Sequence, residues 1–152
     1  MIILDDSNEK PLKIFLAEDD RDDSFLFQEA LNRLPYHVIL SVAEDGEKLI
    51  EMLDANQAPD FIFLDLNMPR KDGYESLNHI RSAKELQHIP VIIMSTSSNR
   101  ESIERAYNEG ANLYIRKPDN FNSLINAIDE CLRRKNEFPG KPSKDEFLLM
   151  VR

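Results

Sequence analysis

What this 152-residue sequence has little of narrows its chemistry first: one cysteine, no tryptophan, four glycines, and too few basic residues to balance the acids. A lone Cys131 excludes an internal disulfide and a cysteine zinc site. His37, His79 and His88 are scattered without metal-ligand spacing and read as surface residues. The 19 Lys and Arg stand against 28 Asp and Glu, a formal charge of -9. That balance argues against nucleic-acid binding and against attachment to anionic lipid, both of which need a clustered basic face. A basic or cation-carrying partner is easier to accommodate. The apolar start Met1-Ile2-Ile3-Leu4 is too short for a signal peptide or a membrane span. The expectation is a soluble cytoplasmic protein of one domain, long enough to build a real core.

What is present centres on Phe61-Ile62-Phe63-Leu64-Asp65-Leu66-Asn67-Met68-Pro69-Arg70-Lys71-Asp72-Gly73. Four apolar residues without alternation predict a strand buried on both faces, as in the middle of a parallel sheet. Pro69 cannot continue a strand ladder, and Gly73 can take backbone angles closed to other residues. Asp65 therefore stands where a buried strand leaves the sheet, the end at which open α/β sheets bind ligands.

The rest of the chain repeats that pattern. Residues 13–17 predict a first strand running into Glu18-Asp19-Asp20, and residues 21–34 a helix carrying Phe27, Ala30, Leu31 and Leu34. Residues 37–42 predict a second strand, with Asp45 as N-cap of the helix that follows. Val91-Ile92-Ile93-Met94 predicts a fourth strand ending in Ser95-Thr96-Ser97-Ser98, where Ser98 and Glu101 have capping-box spacing before a helix stopped by Gly110. Leu113-Tyr114-Ile115 predicts a fifth strand ending in Arg116-Lys117-Pro118, before a helix with Phe121, Leu124, Ile125, Ile128 and Leu132 on one face. Five alternating strand and helix units predict an α/β fold: a doubly wound, flavodoxin-like, five-stranded parallel sheet of order 2-1-3-4-5 with helices on both faces. The division is an N-terminal extension at 1–12, the domain at 13–135, and a C-terminal tail at 136–152 that contains a possible short helix.

That order places Glu18 and Asp19 beside Asp65. Converging carboxylates repel one another unless a cation offsets them. Mg²⁺ fits, since it takes oxygen ligands and needs only one or two carboxylates and a carbonyl. Asp19 and Asp65 can supply the first and Asn67 its main-chain carbonyl, while Lys117 adds a compact positive charge. A carboxylate can also attack phosphorus, and phosphoryl transfer chiefly requires positioning and charge stabilisation, which Lys117 and the Ser95 hydroxyl can give.

From about Lys13 to Leu132 the chain resembles the receiver domain of two-component response regulators. The likeness rests on Glu18-Asp19, Asp65-Leu66-Asn67-Met68-Pro69 with Asp72-Gly73, Ser95, Tyr114 and Lys117-Pro118. The segment 64–73 and Gly110-Ala111-Asn112 most resemble the stand-alone regulators paired with bacterial phytochromes. The resemblance implies that Asp65 accepts a phosphoryl group from a sensor histidine kinase or phosphotransfer protein. Asp19, helped by Glu18, would hold Mg²⁺ with Asp65 and Asn67, and Lys117 would pair with the phosphoryl group. Ser95 and Tyr114 would be the switch that changes the face from strand four to helix five for a downstream protein, and Asn67 and Ser97 lie where the family tunes self-hydrolysis. Ser95 replaces the commoner threonine and Glu18 the common Asp, each keeping the needed chemical group.

Plainer readings stand beside these. Asp20, Asp22 and Asp23 suit helix capping better than metal binding, and Cys131 a small packed residue. Aspartyl-phosphate phosphohydrolases usually need a second Asp two residues after the nucleophile, where this chain has Asn67. The expectation is thus a switch rather than a turnover enzyme, with an unphosphorylated interaction module as the other rival. In the tail, Ser143 and Glu146 have capping-box form before Phe147-Leu148-Leu149-Met150-Val151, apolar surface that either folds back or packs on a second copy; a homodimer contact is slightly preferred.

Overall fold

The computed structural model describes residues 10–55, 58–138 and 143–149. Five strand and helix units follow in order: β1 (Leu12–Ala17), α1 (Arg21–Asn32), β2 (Val38–Ala43), α2 (Gly46–Ala55), β3 (Phe61–Asp65), α3 (Gly73–Ser82), β4 (Val91–Ser95), α4 (Arg100–Asn108), β5 (Leu113–Arg116) and α5 (Phe121–Arg133). A 3-10 turn (Lys135–Glu137), a one-turn helix α6 (Lys144–Phe147) and a two-residue strand β6 (Leu148–Leu149) complete the described chain. Most of the extension expected at 1–12, and residues 139–142 and 150–152 of the expected tail, lie outside the described residues.

All strands are parallel, in the order β2-β1-β3-β4-β5-β6. The expected order of the first five holds, and the sheet has six strands rather than five. Each of Phe61, Ile62, Phe63 and Leu64 is fully buried because β3 lies in the middle with helices on both faces. Ile62 and Leu64 join a core with residues of α2, α3 and α4, whereas Phe61 and Phe63 join one with residues of α1 and α5. The Phe27 and Phe63 rings meet edge to face with centroids 5.0 Å apart. Cys131 is fully buried in the second core, and burial pushes its thiol pKa far up.

The helix starts are capped by local chemistry. Asp20 accepts from the Asp23 N–H, Asp72 forms a capping box with Glu75, and Asn120 accepts from the Ser123 N–H. Two expectations are corrected. The N-cap of α4 is Asn99, not Ser98, because the Asn99 side chain reaches the Glu101 N–H at 2.7 Å. Ser143 precedes α6 but makes no side-chain cap, and Glu146 N–H bonds to its main-chain carbonyl instead.

The tail returns to its own domain. Leu148 and Leu149 pair with Tyr114 and Ile115, and Phe147 is 1% exposed, its ring 5.1 Å from that of Tyr107 and 6.3 Å from that of Tyr114. Burying a phenylalanine stabilises by about 1.5–3 kcal/mol relative to exposure. This is why the sequence showed no strand here: an aromatic anchor, not a strand-length pattern, holds the segment.

Candidate functional site

Strand register brings the acids together. Ala17 lies opposite Leu64, so the residues that follow β1, Glu18 and Asp19, fall beside Asp65 at the end of β3. One carboxylate oxygen from each of Glu18, Asp19 and Asp65 lies within 4.8 Å of the others. Glu18 and Asp65 are 5% and 6% exposed, whereas Asp19 is open to solvent. Ser95 lies opposite Arg116 in the next pair of strands, and the Lys117 N–H donates to the Ser95 carbonyl at 2.7 Å. That bond fixes where the lysine leaves the sheet.

The Lys117 ammonium turns back across the strand ends. It lies 2.7 Å from Glu18 Oε1, 3.0 Å from Asp23 Oδ2 and 3.3 Å from Asp65 Oδ2. Burial works to lower the lysine pKa, but its bond to Glu18 and the charge of Asp65 outweigh this and hold it above its ordinary value. Glu18 shows that the cluster remains short of positive charge. Its own burial and the hydrogen bond with Asp65 push its pKa up to about 8 even with the ammonium in contact. Three oxygens without a matching charge suit a hard divalent cation, so the residues present fit one.

Asp23 is the member the sequence reading assigned to capping. Asp20 takes that role, and the Asp23 side chain, on the first turn of α1, leans toward the helix N-terminus and so over the strand ends. Its place in the third helical position after a capping Asp was the available signal. A small cleft opens beside it, lined by Glu18, Asp23 and Lys117 together with the apolar Leu16, Phe27 and Met94.

The corner after β3 is held from two directions. The Asn67 N–H donates to Asp65 Oδ1 at 3.1 Å while its side chain is exposed. Gly73 has ordinary backbone angles, so the expectation of special φ is corrected: a Cβ here would stand 2.5 Å from the Asp65 carbonyl oxygen and 2.6 Å from the Leu66 Cα. Absence of a side chain lets α3 start directly against the strand that carries Asp65. Arg70 does adopt a positive φ of 67°, and its guanidinium meets the buried Asp45 at 3.2 Å, tying this loop to the start of α2.

Ser97 joins the two expected switch residues. Its N–H donates to Ser95 Oγ at 3.1 Å, and its carbonyl accepts from the Tyr114 hydroxyl at 2.8 Å. Ser95 and Tyr114 are fully buried, and burial raises the Tyr114 pKa. The structure thus gathers Glu18, Asp19, Asp65 and Lys117 into one cluster, with Asn67 on its rim. Ser95, Ser97 and Tyr114 form a hydrogen-bonded set beginning at the neighbouring strand end.

Comparison with known proteins gives one consistent likeness. The response regulator receiver domain family matches residues 14–129. Response regulator Rcp1 of Synechocystis is 32% identical over 131 residues, covering 82% of this chain and 89% of that protein. The crystal structure of the phosphorylated cyanobacterial phytochrome response regulator RcpA superposes with a TM-score of 0.77 at 34% identity, over 88% of this chain and 100% of the other. The Mn(2+)-bound form of Rcp1 superposes with a TM-score of 0.75 at 31% identity, over 88% and 100% of the two chains. With the parallel sheet, the acidic cluster at its carboxyl edge and a match over most of its length, this chain belongs to the response regulator receiver family of two-component systems.

Proposed function

We propose that Asp65 is the phosphoacceptor of this regulator, taking a phosphoryl group from the phosphohistidine of a sensor kinase or phosphotransfer protein. An Asp65 oxygen forms the new bond to phosphorus as the nitrogen–phosphorus bond breaks, and the departing imidazole keeps the electron pair. The carrying observation is the Lys117 ammonium, 3.3 Å from Asp65 Oδ2 inside a set of three carboxylates. It stands ready to follow charge onto the transferred oxygens. Ser95 Oγ accepts from the Ser97 N–H, and its own hydroxyl proton can be donated to the new group.

Mg²⁺ would be held by Asp19, Asp65 and the Asn67 carbonyl with Glu18 alongside, and would supply Lewis-acid stabilisation of charge on the phosphoryl oxygens. The Mn(2+)-bound form of Rcp1 supports a divalent ion in such a site. Asn67 and Ser97, at the rim, would set how quickly water removes the group. The protein then works as a switch in the cytoplasm rather than as a turnover enzyme. The phytochrome regulators among its relatives make a light-sensing kinase a reasonable donor. A homodimer has no required place in this scheme, because Phe147 is already covered by its own domain.

The test is intact mass after incubation with acetyl phosphate and Mg²⁺. The expected result is one added phosphoryl group, lost slowly, and none at this position in Asp65→Asn. Continuous consumption of donor would instead identify a phosphohydrolase, and no gain with any donor would identify an interaction module that is never phosphorylated.

A further inference from the structure

We infer that residues 144–149 are a removable cap on the α4–β5 face, released when the acidic site is filled, and that the uncovered β5 edge receives an extended aromatic-aliphatic segment of the downstream protein. This rests on the proposed phosphoacceptor role of Asp65.

Among the described residues the cap is held by a short ladder, by ring contacts and by Leu148 and Leu149 packed against the two cores. Leu148 and Leu149 add two residues to the edge of β5, Phe147 fills the space over Tyr107 and Tyr114, and Lys144 lies with its ammonium 5.9 Å from the centre of the Tyr107 ring. A six-residue segment near the chain end, joined to the sheet by only two residues and to the cores by Phe147, Leu148 and Leu149, can open without global unfolding. It also displays what the surface accepts: a strand running parallel to β5, with an aromatic residue just before two aliphatic ones. Strand addition to a sheet edge draws affinity from main-chain bonds and selectivity from side-chain pockets. The tail's own Phe147-Leu148-Leu149 is therefore the template for the partner.

The link to the acidic site runs through Ser97. Its N–H is bound to Ser95 Oγ, and its carbonyl accepts from the hydroxyl of Tyr114, whose ring centroid lies 6.3 Å from that of Phe147. When Ser95 turns its hydroxyl toward a group on Asp65, the Ser97 N–H loses its acceptor and the loop must resettle. Tyr114 loses its anchor, and the floor on which Phe147 rests moves.

Hydrogen exchange on the full chain, with and without beryllofluoride and Mg²⁺, tests this, while ¹⁹F spectra report whether beryllofluoride has bound. With beryllofluoride bound, amides of residues 147–149 should exchange about tenfold faster, with faster exchange of 114 and 115 on the uncovered edge. Phe147→Ala should show the fast exchange without beryllofluoride and little further change with it. Binding without faster exchange overturns the cap and leaves the phosphoacceptor role standing, and so does retained protection because the tail has moved to a second copy. No bound beryllofluoride defeats the phosphoacceptor role and the cap with it.

Discussion

Arg81 and Lys117 each carry a positive charge away from water, one at either end of the strands, and they are received very differently. The Arg81 guanidinium donates to the carbonyls of Gly110 at 2.8 Å, Gln87 at 3.1 Å and Ile89 at 2.8 Å, and to Asn112 Oδ1 at 2.8 Å. Asn112 Oδ1 also receives the Val91 N–H, so this arrangement fixes the loops that enter β4 and β5. Its acceptors are neutral oxygens, and burial holds the arginine pKa below its ordinary value. Lys117 faces three carboxylates and leaves them short of charge. A cation surrounded by neutral acceptors closes a structure, whereas a cation outnumbered by acids leaves room for another ion or for a group that changes the count.

The largest expected effect comes from breaking the closed end. Arg81→Ala takes away the donor shared by three main-chain carbonyls and Asn112 Oδ1, so urea denaturation should show a loss of about 3 kcal/mol, while Mg²⁺ affinity of the folded fraction stays within about threefold. An equal loss of affinity would mean the two ends are not independent. Lys117→Met should slow the gain of a phosphoryl group from acetyl phosphate by about 100-fold, yet raise Mg²⁺ affinity by roughly tenfold in titration calorimetry, since a competing cation is gone. Loss of both properties would mean that the lysine holds the carboxylates in place rather than supplying charge.

A further effect follows pH. Glu18 has a folded pKa of about 8 against an ordinary value of 4.5. Its protonated form is favoured by the fold, so its contribution to stability is fully present below 4.5 and lost as pH rises through about 8. Metal binding favours the ionised form and should strengthen across the same window. Denaturation midpoints in EDTA should therefore fall from about pH 5 to about pH 8 and recover with Mg²⁺, and Glu18→Gln should flatten both trends. An unchanged slope in that variant would place the proton elsewhere in the cluster.

Much of this was legible in the chain because buried parallel strands announce themselves. An unalternating run such as Phe61 to Leu64 has one stable place, and once its neighbours are ordered, Glu18, Asp19, Asp65 and Lys117 must meet. What escaped depends on side-chain direction and packing. Asp23 was read as a capping residue because its backtilt over the strand ends is a property of the helix, not of its neighbours in sequence. Gly73 was read as a conformational device, when the need is for space against Asp65. The sixth strand had no pattern of its own, since two leucines gain a partner only after Phe147 finds Tyr107 and Tyr114.

Cys131 has a practical consequence. Its sulfur is enclosed by the core formed with α1 and held in the unreactive protonated form. Maleimide reagents should therefore pass over the native protein. A single thiol engineered on an exposed helix face would take up a fluorophore or spin label alone, so distances within the working switch can be followed without first removing the natural cysteine.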